Sequence, residues 1–215
     1  MSETVVLLHG IGATKLRMRP MERALQAAGF DTLALTYPSR RAPIADLADF
    51  VSRGIAPLWE RAGRLHFVTH SMGGLVAAQM LVSKKRSSSV EQIGRVVMLA
   101  PPLRGSEVAD VLSRFPPYGW VMGPAALELT TRARQTFAVP YYELGVIAGT
   151  VGWPYAFGSL VLPRPHDGRV ALSRTRVAGL AGHIVVPATH TFLMNRPDVQ
   201  RQTIHFLRTG AFEAK

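Results

Sequence analysis

Hydrophobic and polar positions follow two different periods along this chain. Short continuous apolar runs, rich in β-branched residues, alternate with longer segments in which apolar residues recur every three or four positions. The short runs predict strands at residues 4–8, 32–36, 65–69 and 95–100, a fifth within 139–147 and a sixth at 180–186. The longer segments predict helices at residues 20–28, 44–59, 72–82 and 191–207. Gly54 and Pro57 weaken the end of the second helix, and Pro197 divides the last one.

This alternation predicts an α/β fold. Strands that are apolar along their whole length and separated by helices are typical of a parallel sheet covered on both faces. We therefore expect a mostly parallel sheet of about six strands with helices on both faces, in a single domain over residues 1–215. Two segments rich in proline, glycine and aromatic residues, near 102–140 and 149–165, show neither a helical nor a strand periodicity of hydrophobic positions. We interpret them as cap-like insertions over the edge where the strands end, since chemistry in such sheets sits there.

Composition narrows the class of protein. Hydrophobic residues make up 47% of the 215 positions and charged residues 18%, which indicates a globular chain and not a disordered one. The absence of cysteine excludes disulfides, thiolate nucleophiles and cysteine-ligated metals. The chain begins with MSETVVLLHG, which has no basic leader, and no apolar run reaches the roughly 18 residues of a membrane span. We expect a soluble cytoplasmic protein.

The net charge of +11 raises the question of nucleic-acid binding. The basic residues are scattered, and the one run of three, from Lys84 to Arg86, we interpret as a solvated loop after a helix. No RNP-like, zinc-finger or helix-turn-helix pattern accompanies them, so we expect no nucleic-acid partner. The charge is compatible with weak association with an anionic membrane surface. The sequence does not specify an oligomeric state.

The segment VTHSMGGL, after the third predicted strand, places Ser71 between that strand and a helix. It matches the nucleophile-elbow pattern G-x-S-x-G except that Thr69 replaces the first glycine. Small residues are needed around such a serine because the strand-to-helix turn is crowded, and Gly73 meets that need. The alternative is an ordinary serine that caps the helix.

A glycine-rich loop after the first strand, His9-Gly-Ile-Gly12, suggests an oxyanion hole. Such a hole needs two backbone N–H groups aimed at one point. One would come from Met72, directly after the serine and at the start of a helix, and the other from Ile11 between its two glycines. The alternative is that this loop is merely flexible.

A general base and an acid complete a hydrolytic site. His190 follows the sixth predicted strand on a loop, which is the position expected of a late catalytic histidine. Asp167, on an Asp-Gly turn 23 residues earlier, is the candidate acid, although Asp-Gly is also a plain turn signal. Glu107 and Glu143 are alternative acids. Histidines within predicted elements or directly beside Ser71 are interpreted as structural or as pointing away from it: His66, His70, His183 and His205.

Four segments together resemble the α/β-hydrolase superfamily, in particular its compact bacterial lipases and lipase-like esterases. They are VVLLHGIGA, VTHSMGGLVA, HDGRV and VVPATHTFL, and the similarity spans nearly the whole chain. The resemblance implies a serine-dependent ester hydrolase with Ser71, Asp167 and His190 as its triad and Ile11 and Met72 as oxyanion donors. It also implies that no metal or organic cofactor is needed.

The substrate class follows less directly. The aromatic segments 115–120 and 153–157 would form an acyl pocket or a lipid-facing rim, or they would only pack the loops. We expect a small-molecule or lipid acyl ester as substrate. Thioesters, lactones and amides are open to the same machinery, and the fold also occurs in non-catalytic binding proteins.

Overall fold

A computed structural model describes residues 3–84, 92–134 and 137–214. Its centre is a six-stranded sheet in the order β2-β1-β3-β4-β5-β6, in which every neighbouring pair is parallel. The strands are β1 (Glu3–Leu8), β2 (Asp31–Leu35), β3 (Arg64–His70), β4 (Ile93–Leu99), β5 (Leu144–Gly149) and β6 (Gly182–Val186). Because the strands are parallel, the ends of β1, β3 and β4 meet at one edge of the sheet.

Helices connect the strands. They are α1 (Arg19–Ala27), α2 (Ile44–Gly54), α3 (Ala56–Arg61), α4 (Met72–Lys84), α5 (Glu107–Leu112), α6 (Pro116–Met122), α7 (Pro124–Leu127), α8 (Ala156–Val161) and α9 (Pro197–Thr209). Short 3-10 helices lie at Lys15–Met18, Leu172–Thr175 and His190–Asn195.

The core has two parts, one on each face of the sheet. Along β1, Val6 and Leu8 pack into the cluster that includes apolar residues of α2 and α4. Val5 and Leu7 point to the opposite face, where they join residues of α1 and α9. Alternate side chains of one strand are thus buried on opposite faces of the sheet. Burial of each large apolar side chain stabilises the folded state by roughly 1.5–3 kcal/mol. The α/β fold with a parallel sheet covered on both faces is confirmed.

One predicted helix differs from the structure, and the predicted break in another agrees with it. The helix predicted at 44–59 is divided into α2 and α3 at Ile55, which has φ −106° and ψ 3°. Gly54 ends the first helix and Pro57 lies in the first turn of the second, where its missing N–H is harmless. The break in the last predicted helix is confirmed, since α9 begins at Pro197.

The two segments predicted to be irregular contain short helices. Residues 102–140 carry α5, α6 and α7, and residues 149–165 carry α8, each only four to seven residues long. Elements of one or two turns are too short to display a hydrophobic period, so the sequence pattern missed them. The assignment of the whole chain to one domain stays a prediction.

Two expectations about surfaces concern the basic run and the membrane. The helix α4 ends at Lys84, and the rest of the run to Arg86 lies outside the described residues. In the parts of the chain that the structure describes, no helix is long and apolar enough to cross a membrane. The cytoplasmic location stays a prediction.

Candidate active site

Ser71 occupies a one-residue turn between β3 and α4. Its φ of 53° lies in the left-handed region, which non-glycine residues rarely adopt and which costs roughly 1–3 kcal/mol. A serine that only capped α4 would have extended backbone instead. The turn is fixed on both sides, because the Ser71 N–H donates to the Leu99 carbonyl at 2.9 Å and its own carbonyl accepts from Gly74 N–H at 3.0 Å. The backbone is therefore that of an elbow and not of an N-cap.

Gly73 lets α4 approach the end of β1. A Cβ atom there would lie 2.6 Å from the His9 carbonyl oxygen and 2.7 Å from that of Leu8, both of them backbone atoms. A small residue is thus needed two positions after the serine because the backbone at the end of β1 lies directly against it.

Thr69, which departs from the elbow pattern, is accommodated by a second glycine. Its side chain is buried, and a Cβ atom on Gly74 would lie 3.2 Å from its Oγ1 and 2.9 Å from Met98 Sδ. The absence of a side chain on Gly74 therefore leaves the room that the side chain of Thr69 occupies.

Asp167 and His190 form a buried pair. His190 Nδ1 lies 2.7 Å from Asp167 Oδ2, and the two residues are 4% and 1% exposed. The other carboxylate oxygen, Oδ1, accepts the N–H groups of Arg169 at 3.0 Å and Val170 at 2.8 Å. Because a carboxylate oxygen can only accept, the His190 nitrogen that faces it, Nδ1, must carry a proton. In the neutral ring Nε2 is then free to accept. The backbone ties the pair again, since His190 N–H donates to the Asp167 carbonyl at 3.0 Å.

The two alternative acids are engaged elsewhere. Glu107 pairs with Arg174 at 2.7 Å, and Glu143 pairs with Arg95 at 2.6 Å. The carboxylate that contacts His190 in the described residues is that of Asp167. Its role as the catalytic acid stays a prediction.

His70, directly before Ser71, is linked to His190 through the backbone. Its Nε2–H donates to the His190 carbonyl at 2.9 Å, and the two rings lie 4.8 Å apart. Burial holds the pKa of His70 well below its ordinary value, so the ring stays neutral. The sequence predicted only that this side chain points away from Ser71; its adjacency to the serine gave no indication of a partner 120 residues later.

The remaining histidines of that group have structural partners. His66 accepts the Arg95 N–H at 2.9 Å, and His183 lies within β6 and bonds to Thr175 Oγ1 at 2.9 Å. His205 lies on α9, 3.7 Å from Glu213.

The glycine loop after β1 is held in place by Tyr37. The Tyr37 hydroxyl donates to the His9 carbonyl at 2.5 Å, its backbone N–H donates to His9 Nε2 at 3.3 Å, and the two rings stack 4.3 Å apart. Gly10 brings the loop against the elbow, because a Cβ atom there would lie 3.1 Å from Ser71 Cβ. Gly12, at φ 68°, donates its N–H to Ser39 Oγ at 3.0 Å. No local sequence pattern predicts these roles of Tyr37 and Ser39.

A cavity of about 280 Å³ brings the candidate residues together. Ser71, His190 and Ile11 line it, and α5 and α6 supply apolar side chains on the other side, among them Val108, Leu112 and Met122. Met72 is the first residue of α4, so its N–H has no carbonyl of a preceding turn to bond. No group of three or more His, Asp or Glu side chains in the described ranges is placed to hold a metal ion.

The fold is similar to those of known lipases and esterases, although no curated protein matches the sequence. A lipase of Bacillus licheniformis in its mature form is 18% identical, with 96% of this chain and 91% of that one covered and a TM-score of 0.79. A metagenomic carboxyl esterase is 18% identical, with 89% and 65% covered and a TM-score of 0.73. A carboxylesterase of Bacillus subtilis is 14% identical, with 97% and 84% covered and a TM-score of 0.59.

The lengths of these proteins differ from that of this chain. The chain spans about half, 51%, of the same Bacillus licheniformis lipase in its propeptide form. At these identities the likeness concerns the fold. The model of the alpha/beta hydrolase family matches residues 5–202, most of the chain. The chain belongs to the alpha/beta hydrolase family.

Proposed function

We propose that the protein is a serine hydrolase that cleaves carboxylic esters through an acyl-enzyme intermediate. The observation that carries the proposal is the buried Asp167–His190 pair, at 2.7 Å, of which His190 lines the same cavity as Ser71 at its positive φ. A nucleophile and a base on one cavity, with an acid that orients the base, are the parts that acyl transfer needs. The lipase and esterase folds that resemble this chain support the same reaction class.

The first half of the reaction forms the acyl-enzyme. His190 Nε2 takes the proton of the Ser71 hydroxyl as Oγ bonds to the carbonyl carbon of the ester. The N–H groups of Ile11 and Met72 stabilise the resulting oxyanion, and Met72 adds the positive end of the α4 dipole. When the tetrahedral intermediate collapses, the C–O bond to the alcohol breaks and the alcohol leaves with the proton from His190. Asp167 stays ionised and stabilises the imidazolium.

The second half releases the acid. A water molecule gives its proton to His190 Nε2 and attacks the acyl carbon, and the oxyanion forms again at the same two N–H groups. Collapse breaks the bond to Ser71, and the proton returns from His190 to Ser71 Oγ. The net change is hydrolysis of one ester bond, without an external acid or base.

An apolar acyl group suits the cavity. The side chains that α5 and α6 contribute are hydrophobic, and burial of an acyl chain against them is favourable at about 25 cal/mol per Å². Thioesters, lactones and amides would use the same groups, so the bond that is cleaved fastest is a matter for measurement.

Labelling with a fluorophosphonate probe tests the proposal. We expect covalent capture at Ser71, loss of labelling in Ser71→Ala, and a fall of several orders of magnitude in the hydrolysis of p-nitrophenyl esters. Ser83→Ala, at the exposed far end of α4, is the matched control and should label as the wild type does. A Ser71→Ala protein with near-normal hydrolysis would overturn the proposal.

The same experiment separates an enzyme from a non-catalytic binding protein of this fold. A protein that only binds esters would not form the phosphonate adduct, because capture requires an activated serine. It would still bind an ester to the cavity of about 280 Å³. Binding without labelling would therefore favour the binding protein.

We also propose weak association with an anionic membrane surface. Trp120 on α6, a helix that lines the cavity, is 86% exposed, Leu160 on α8 is 87% exposed, and the chain carries a net charge of +11. Exposed apolar side chains on a basic protein suit a lipid surface of negative charge. Co-sedimentation should show binding to vesicles that contain phosphatidylglycerol and little to pure phosphatidylcholine, and the binding should weaken as salt is added. Equal binding to both vesicles would contradict the electrostatic part.

A further inference from the structure

Arg169 introduces a permanent positive charge into an otherwise uncharged cavity. It lines the cavity that holds Ser71 and His190, and no Asp, Glu or Lys among the described residues lines the same space. The proposed acyl transfer has no use for this arginine, since its oxyanion is assigned to backbone N–H groups. The position of the side chain therefore calls for another explanation.

The backbone of Arg169 is fixed by the candidate site itself. Its N–H donates to Asp167 Oδ1 at 3.0 Å, and its carbonyl accepts the Ser106 hydroxyl at 2.6 Å. Ser106 is also the N-cap of α5, where its Oγ accepts the Val108 N–H at 3.2 Å. The root of the arginine side chain is thus held between the acid turn and the helix that covers the cavity.

The guanidinium group rests on an aromatic ring and has no carboxylate partner. Its Cζ lies 5.1 Å from the centre of the Tyr155 ring, a cation–π contact. Within the described ranges no carboxylate oxygen lies within 4.0 Å of it, whereas Arg174, five residues later, is paired with Glu107. Arg169 is exposed, so its five N–H donors remain open to a ligand.

Tyr118 supports the position of this charge at the cavity. Its side chain lines the same space. Burial raises the pKa of the Tyr118 hydroxyl, and the positive charge of Arg169 opposes that rise. The guanidinium group is therefore close enough to act electrostatically on a group that borders the cavity.

We propose that Arg169 selects esters in which an apolar acyl chain is accompanied by a negatively charged group, a carboxylate or a phosphate. The planar guanidinium binds either group through two parallel hydrogen bonds, and the contact with Tyr155 limits the orientations it must give up on binding. The apolar side chains of α5 and α6 would hold the acyl chain while the anion lies at Arg169. This inference rests on the proposed function, because it names the substrate class of that site.

Matched pairs of esters test the inference, in two arms. One arm compares p-nitrophenyl hexanoate with mono-p-nitrophenyl adipate, which adds a carboxylate to the acyl part at the same chain length. The other compares hexanoylglycerol with hexanoylglycerol phosphate, which adds the charge to the alcohol part. The wild type should prefer the anionic member of at least one pair by about tenfold in kcat/KM, as for one charge-assisted contact. The arm that shows the preference tells which part of the substrate carries the charge. No preference in either arm would overturn the inference.

Variants of Arg169 separate recognition from a structural role. In Arg169→Gln we expect kcat/KM for the preferred anionic ester to fall about tenfold, with the neutral ester changed less than twofold. Arg169→Lys should keep part of the preference, because it keeps the charge but not the paired donors. Arg23→Gln, which removes the same charge from the exposed face of α1, should leave both esters unchanged.

The possible failures are distinguishable. Equal losses on both esters in Arg169→Gln would show that the residue only holds the Asp167 turn, and no loss on either would show that it is idle; both outcomes overturn the inference. In those cases hydrolysis that still depends on Ser71 leaves the proposed function intact. If Ser71→Ala hydrolyses both esters as the wild type does, the proposed function fails first and the inference with it.

Discussion

The two sides of the candidate cavity are built differently. Its floor is formed by Ser71 and His190, with Asp167 behind the histidine, and these three residues are buried and tied by hydrogen bonds of 2.7–3.0 Å. Its roof, the helices α5 and α6, consists of elements of six and seven residues, and α6 leaves large apolar side chains in solvent. The floor is buried and closely hydrogen-bonded, whereas the roof consists of short helices, of which α5 is tied to the rest of the fold by the Glu107–Arg174 pair and by the bond from Ser106 to the Arg169 carbonyl.

This difference indicates that the floor and the roof would have different roles in the reaction. Ser71 and His190, on which bond cleavage would depend, follow β3 and β6 closely, where the sheet positions them as a catalytic site requires. The groups that would choose the substrate lie on the roof or, like Arg169, where the roof meets the acid turn. Changes to the floor should therefore affect turnover or folding strongly, and changes to the roof should affect substrate choice and surface binding.

The strongest test of the floor is Asp167→Asn. An amide has one oxygen, so it cannot accept both from the backbone N–H groups that now bond Oδ1 and from His190 Nδ1–H, which now bonds Oδ2. If its NH₂ group faces His190, it favours the wrong histidine tautomer. We expect kcat to fall by about 10⁴-fold with the fold retained, measured by ester hydrolysis and circular dichroism. Glu143→Gln is the matched control, since it alters an exposed carboxylate paired with Arg95, and it should leave kcat unchanged. Retention of more than a tenth of the activity in Asp167→Asn would remove that residue from the mechanism.

Two glycine-to-alanine changes compare floor and roof directly. In Gly73→Ala the new Cβ would meet backbone oxygens at 2.6 and 2.7 Å, so the elbow must shift. We expect a loss of about 1–3 kcal/mol in the free energy of unfolding, together with a loss of activity.

In Gly119→Ala, on α6, the nearest atom would be a Leu127 methyl carbon at 3.4 Å. That change should be neutral or stabilising by up to about 1 kcal/mol, since alanine favours the helix. Chemical denaturation of both variants measures the difference, and equal effects would remove the distinction.

The same contrast explains what the sequence predicted well. The parallel sheet, the position of Ser71 after a strand and the break at Pro197 follow from local patterns, because apolar runs and turn residues act over a few positions. The Asp167–His190 contact was predicted from chain order, and the structure brings the two side chains together. Whether they act in catalysis stays a prediction.

Other features could not be predicted, because they depend on contacts across the fold. The accommodation of Thr69 depends on the space above Gly74, and the tie between His70 and His190 joins residues 120 positions apart. The helices of the roof are too short to show a period, so their residues look irregular in the sequence. Long-range geometry of this kind is absent from any local window.

The half-buried His183 predicts a pH dependence of stability that arises in the sheet, since no histidine lies in the roof. Burial, and secondarily the charge of Arg176, lowers the pKa of His183 on β6 from 6.5 to about 4. The unfolded chain therefore binds a proton below pH 6.5 that the folded chain does not. Stability is fully present above pH 6.5 and is lost as the pH falls towards 4. Thermal unfolding at successive pH values should show a shallower decline in His183→Gln than in the wild type; parallel curves would contradict this assignment.

The smallest expected effect belongs to the surface of the roof. Trp120 is 86% exposed, so Trp120→Ala removes little packing and should change the free energy of unfolding by less than about 0.5 kcal/mol. Turnover of a water-soluble ester should stay within about twofold of the wild type. Binding to vesicles that contain phosphatidylglycerol should weaken by about tenfold, as expected for the loss of one large apolar side chain that enters the lipid.

Phe50→Ala, which removes an exposed aromatic side chain from α2, is the matched control and should not weaken vesicle binding. Equal weakening in both variants would assign the binding to general hydrophobicity, and an unchanged affinity in Trp120→Ala would leave the roof without a role at the membrane.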